Sequence, residues 1–112
     1  MSRDAAIVLD IRNAAELIGE FVRGVDRVAF DSDVKTQSAI LHQIMVLGEA
    51  ANRLSESFRD LLADVPWRLM IGMRNRLIHG YDDVDLDEVW ATATKDVPAL
   101  LRELARLDVD AL

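Results

Sequence analysis

From Ile7 onward the apolar residues return at alternating steps of four and three: Ile7, Ile11, Ala14, Ile18, Phe21, Val25 and Val28. That spacing sets one face of an α-helix, whereas a half-buried strand would alternate at every second position. A second stripe runs through Ile40, Ile44, Leu47, Ala51 and Leu54, and a third through Val89, Ala93, Val97, Leu100, Leu104 and Leu107. No segment alternates with period two, and no Asn-Gly or Asp-Gly hairpin turn occurs. The expected fold class is all-α, an antiparallel bundle of four to five helices.

The helix ends are marked locally. Asp31-Ser32-Asp33 is a cluster of N-cap residues ahead of the second long helix. Ser55 to Asp64 holds a short helical piece around Phe58, Leu61 and Leu62. Pro66 suits the first turn of a third helix, expected from about Pro66 to His79 and closed by Gly80 in a left-handed conformation. Asp85 with Glu88 resembles a capping box that starts the last helix, which Pro98 should kink.

At 112 residues and 51% hydrophobic content, residues 1–112 are expected to form a single domain. The chain contains no cysteine, which excludes disulfides, thiolate metal sites and cysteine nucleophiles. No apolar run approaches the roughly 20 residues of a membrane span, and the Met1-Ser2-Arg3-Asp4 start is unlike an export signal. The expectation is a cytoplasmic protein without membrane contact.

A net charge of −7 argues against general nucleic-acid affinity, which depends on Lys and Arg displacing counterions. The balance is uneven, however. Arg53, Arg59, Arg68, Arg74 and Arg76 precede His79, and Asp82, Asp83, Asp85, Asp87 and Glu88 crowd the stretch after it. An RNA ligand would need a local arginine cluster against this acidic background; ordinary solvated helix charges account for the same residues. Asp83-x-Asp85-x-Asp87 imitates a calcium loop but has Glu88 at its sixth position and Thr94 at its twelfth, so helix capping is the better reading.

The segment richest in chemistry is Arg74-Asn75-Arg76-Leu77-Ile78-His79-Gly80-Tyr81, which ends on the chain's only tyrosine. It combines a permanent cation with a group that titrates near neutrality, a pair suited to phosphoryl chemistry without a metal or other cofactor. On an ideal helix Arg74 and His79 lie about 140° apart. A long arginine stem, unwinding at Gly80 or a second subunit must bring them together, and a two-fold axis beside this helix would gather two copies of each. The plainer alternative makes His79 a cation at the helix C-terminus and Gly80 a simple stop. Leu77 and Ile78 read as core, and Trp67 and Trp90 as anchors of the bundle or dimer. Gly48 and Ala51 read as packing residues. Glu49 reads either as a carboxylate that orients a cleft arginine or as a surface charge, and His42 is given no role.

The segment fits the R-x4-H-x-Y signature of the HEPN superfamily. Gly48-Glu49-Ala50-Ala51, Val65-Pro66-Trp67 and Val84-Asp85 to Val89-Trp90 resemble the HepT-like toxins in order and spacing, over nearly the whole chain. The resemblance implies a homodimeric HEPN bundle, with or without further assembly, acting as the metal-independent endoribonuclease toxin of a type VII toxin-antitoxin pair. It makes Arg74 and His79 the catalytic pair at a dimer interface, Asn75 a supporting polar group and Tyr81 the acceptor of AMP. The implied partners are an RNA substrate and an MntA-type nucleotidyltransferase antitoxin that silences the toxin by AMPylation. Asp82 departs from the aromatic or apolar residue that often follows this tyrosine. The alternative is a non-catalytic HEPN dimer that binds nucleotide or a nucleotidyltransferase.

Overall fold

Short polar caps divide the chain into helices, as seen in a computed structural model that describes residues 2–80, 84–108 and 112. Helix α1 (Arg3–Val22) opens where the Ser2 hydroxyl accepts the Ala5 N–H, at 3.1 Å. Helix α2 (Arg27–Ser32) is capped by Asp26, and α3 (Val34–Arg53) by Asp33, whose carboxylate accepts from both the backbone and the hydroxyl of Thr36. Ser55 caps α4 (Glu56–Leu61) through the Phe58 N–H. Helix α5 (Trp67–His79) follows Pro66. Asp85 caps α6 (Leu86–Ala91), which continues through a π-helical turn (Thr92–Asp96) into α7 (Val97–Ala105). Among the described residues there is no strand, and no helix is long and apolar enough to cross a membrane.

Four details differ from the sequence expectation. The first stripe does not continue to Val28: Gly24 takes φ +72°, Asp26 restarts the chain as α2, and Val28 is exposed. Gly80 has positive φ but extended ψ (138°, 147°), so it stops α5 without entering the left-handed helical region. Pro98 acts one turn upstream of itself. It has no N–H to offer the carbonyl four residues back, and the helix widens so that Val97 N–H meets the Thr92 carbonyl. Glu88 does not complete a capping box; it pairs with Arg76 and ties α6 to α5.

Helix α1 packs chiefly on α3, α3 on α5, and α7 on α1. The first turns of α1 meet the end of α3, since Asp4 accepts two hydrogen bonds from Ser55 and Asp10 faces Arg53, so the pair is antiparallel. Ile11, Ile18, Ile40, Ile44, Met70, Met73, Leu100 and Leu104 are almost fully buried in one cluster. Each such side chain contributes about 1.5–3 kcal/mol of burial. Both tryptophans anchor this bundle: Trp67 is buried and donates its indole N–H to the Leu62 carbonyl at 3.0 Å, and Trp90 lies 5.0 Å from Phe30 in a tilted ring pair. The packing leaves α1, α3 and α5 side by side, with a cleft along their outer face.

Candidate functional site

Beside the cleft, α3 and α5 approach unusually closely. A Cβ added at Gly48 would stand 2.5 Å from the Arg74 Cβ and 2.8 Å from the Met70 carbonyl oxygen, distances that no side chain tolerates. Only glycine lets the two backbones meet there. The contact fixes the root of the Arg74 side chain against α3.

From that root the guanidinium reaches two partners. One nitrogen donates to the Asn75 amide oxygen at 2.9 Å, and another forms an ion pair with Glu49 of α3. The Arg74 side chain is 24% exposed, so it is held at the cleft wall with part of its donor edge still open. Asn75 itself is exposed.

The cleft encloses about 460 Å³, within the range of small-ligand sites. Asp10 and Asn13 come from α1, Met45, Val46, Glu49, Ala50 and Arg53 from α3, and Arg74 and Ile78 from α5. Met45, Val46 and Ile78 make an apolar floor, with Arg74 paired to Glu49 and Arg53 facing Asp10 at 3.7 Å. Among the described residues no group of three His, Asp or Glu side chains gathers as a metal site.

His79 ends α5, exposed, with no hydrogen bond or ion pair to the described residues. It does not line the cleft, so within one chain Arg74 and His79 are not brought together. Tyr81 lies outside the described residues, as do Asp82 and Asp83. Ile78, read from the sequence as core, is 54% exposed and belongs to the cleft floor, while Leu77 is buried as expected.

The arginine-rich stretch does not form one patch. Arg53 and Arg74 share the cleft, Arg59 and Arg68 line a separate depression beside Glu56 and Asp60, and Arg76 turns to Glu88. Of the acids that follow, Asp85 caps α6 and Asp87 pairs with Arg27 at 2.5 Å. Sequence reasoning missed Asp10, Asn13 and Arg53 as cleft residues. A signal for Arg53 was present: Met45, Val46, Glu49 and Arg53 recur at helical spacing on one side of α3. His42 falls on that same side and is exposed.

A family model described as ribonuclease HepT-like matches residues 11–107. A probable ribonuclease HepT of Thermococcus cleftensis is 39% identical over 88% of this chain and 89% of its own length. A putative RNase of Methanocaldococcus jannaschii is 31% identical over 88% of this chain and 91% of its own. A putative RNase of Caldanaerobacter subterraneus subsp. tengcongensis is 31% identical over 87% of both chains. No solved structure matches.

Proposed function

Because the chain belongs to the HepT-like ribonuclease family, we propose that it is a metal-independent endoribonuclease toxin that works as a homodimer, with Arg74 and His79 as its catalytic pair. The observation that carries this reading is the contrast on α5: Arg74 is held at a cleft wall by Glu49 and Asn75, while His79 ends the same helix exposed, with no hydrogen bond or ion pair to the described residues. A preorganised guanidinium suits charge that builds on a phosphate in the transition state. An exposed imidazole can take up a proton and give it back.

In the proposed reaction one His79 removes the proton of a ribose 2′-hydroxyl, and that oxygen attacks the adjacent phosphorus. The bond to the 5′-oxygen breaks, leaving a 2′,3′-cyclic phosphate. His79 of the partner subunit, protonated beforehand, gives its proton to the departing 5′-oxygen. Arg74 binds the non-bridging oxygens throughout, Glu49 keeps its guanidinium aimed, and Asn75 supports it. The separation of Arg74 from His79 within one chain favours this two-fold arrangement, since two copies across an axis supply both an acid and a base.

The same reading makes the Tyr81 hydroxyl the acceptor of AMP from an MntA-type nucleotidyltransferase antitoxin, as part of a type VII pair acting in the cytosol. Each added phosphate would place negative charge two residues from His79, where an RNA backbone must pass.

The test is cleavage of end-labelled RNA in EDTA by the wild type, Arg74→Ala and His79→Ala, with the product ends identified. Cleavage that survives chelation, leaves cyclic phosphate and vanishes in both variants is the expected outcome. Equal activity in all three proteins would overturn the assignment and move the reading to a non-catalytic HEPN dimer.

A further inference from the structure

Arg53 stands in the same cleft as Arg74, one helical turn beyond Glu49 on α3. Its partner is Asp10 of α1, at 3.7 Å, a contact too long for a hydrogen bond. Both side chains are open to water, at 48% and 64% exposure. A pair of this kind is worth little, because water screens it and two flexible side chains must be held still. The Arg53 guanidinium therefore keeps its directional donors available for an anion.

The two arginines differ in how they are held. Arg74 is rooted by the Gly48 contact and tied to Glu49 and Asn75. Among the described residues Arg53 has one weak partner, and its side chain is half exposed. Met45, Val46 and Ile78 give the same cleft an apolar floor, Met45 and Val46 one turn before Glu49 on α3 as Arg53 is one turn after it, and Asn13 offers an amide from α1. Two cations, one rigid and one movable, beside an apolar surface in one cleft match the phosphates and bases that a single RNA strand presents.

We propose that Arg53 is a second phosphate-binding residue of the cleft, occupied by Asp10 in the free protein, so that single-stranded RNA lies along α3 with phosphates on Arg74 and Arg53. This rests on the reading of the chain as an enzyme that acts on RNA. Binding exchanges the Asp10 carboxylate for a phosphate at Arg53, so Asp10 is a competitor and its removal should tighten RNA binding. A purely structural ion pair predicts the opposite behaviour: both substitutions would lower stability and neither would change the salt dependence.

The experiment measures the affinity of a short fluorescent single-stranded RNA across a salt series by anisotropy, in the catalytically silent His79→Ala background. Arg53→Gln should bind about tenfold more weakly at moderate salt, the scale of one charge-assisted hydrogen bond. The slope of log affinity against log salt should become shallower by about 0.7, one phosphate contact on a single strand. Asp10→Asn should bind about threefold more tightly, the scale of one exposed ion pair. Arg102→Gln, on the exposed side of α7, removes the same charge far from the cleft and should match the parent. Unchanged affinity and slope for Arg53→Gln, or weaker binding by Asp10→Asn, overturns the proposal. An equal loss for Arg102→Gln overturns it too, since net charge alone would then explain the effect. Because binding is read without cleavage, a protein that binds RNA through Arg53 yet never cuts it would sink the ribonuclease assignment and leave this inference standing.

Discussion

Gly48→Ala isolates the contact on which the site is built. The new Cβ meets two atoms that cannot rotate away, the Arg74 Cβ at 2.5 Å and the Met70 carbonyl oxygen at 2.8 Å. Reaching an ordinary carbon–carbon separation requires α3 and α5 to part by about 1 Å at this point. Overpacking of this kind costs about 1–3 kcal/mol, and replacing a mid-helix glycine returns about 1 kcal/mol, so a net loss of about 1 kcal/mol is expected. For a domain of this size that lowers the melting temperature by about 4–6 °C. The functional effect should be larger, because a 1 Å misplacement of a transition-state donor can cost on the order of 100-fold in rate. Urea denaturation and single-turnover RNA cleavage measure the two quantities separately. Gly19→Ala is the comparison: it also sits inside a helix, its added Cβ meets nothing within 4 Å, and it should gain stability. A Gly48→Ala protein as stable and as active as the wild type would refute the close-approach argument.

Three further outcomes follow from the packing. Leu100 is completely buried at the α7 side of the core, so Leu100→Ala should lose about 2–5 kcal/mol in a urea titration, and a loss below about 1 kcal/mol would show that α7 is not anchored as described. The Arg76 and Glu88 pair is partly exposed, at 41% and 30%, so a double-mutant cycle should give a coupling of about 1 kcal/mol or less, and Arg76→Gln should still cleave RNA at the wild-type rate. Asp4 is held below the ordinary carboxylate range first by the Ser55 hydroxyl and then by the Ser55 backbone N–H. Its stabilisation is present above the unfolded value and lost as pH falls through the lower folded one. Ser55→Ala should move the Asp4 titration back toward the ordinary value in a carboxyl NMR titration, and an unmoved titration would refute that cause.

The site was only partly legible in the sequence. Arg74, Asn75 and His79 stand out because a cation, an amide and an imidazole fall together before a glycine stop. Glu49 was half visible, as a carboxylate beside a glycine on a facing helix, but its pairing with Arg74 depends on a contact between two separate helices. Asp10 and Asn13 carried no signal at all. They are ordinary polar residues on the outer face of α1, and they line a cleft only because α1 lies against α3. Ile78 was misassigned for a related reason: its apolar character is the same whether a helix face is covered by the bundle or left open.

The helices themselves are a local matter. Ser2, Asp26, Asp33, Ser55 and Asp85 begin them and Gly24 and Gly80 interrupt them through forces that act within one turn, although the apolar stripe alone runs past the break at Gly24 and Asp26. Spacing also marks the apolar side of each long helix, but not whether every position on it is covered, as Val28 and Ile78 show. How the arginines divide does not follow from spacing, because Arg53, Arg59, Arg68, Arg74 and Arg76 are chemically identical and only helix azimuth and neighbouring helices separate a cleft residue from a tether. The close approach at Gly48 belongs to the same class. A missing Cβ is visible in the sequence, but what it makes room for, the backbone of α5 and the root of Arg74, exists only once the two helices have packed.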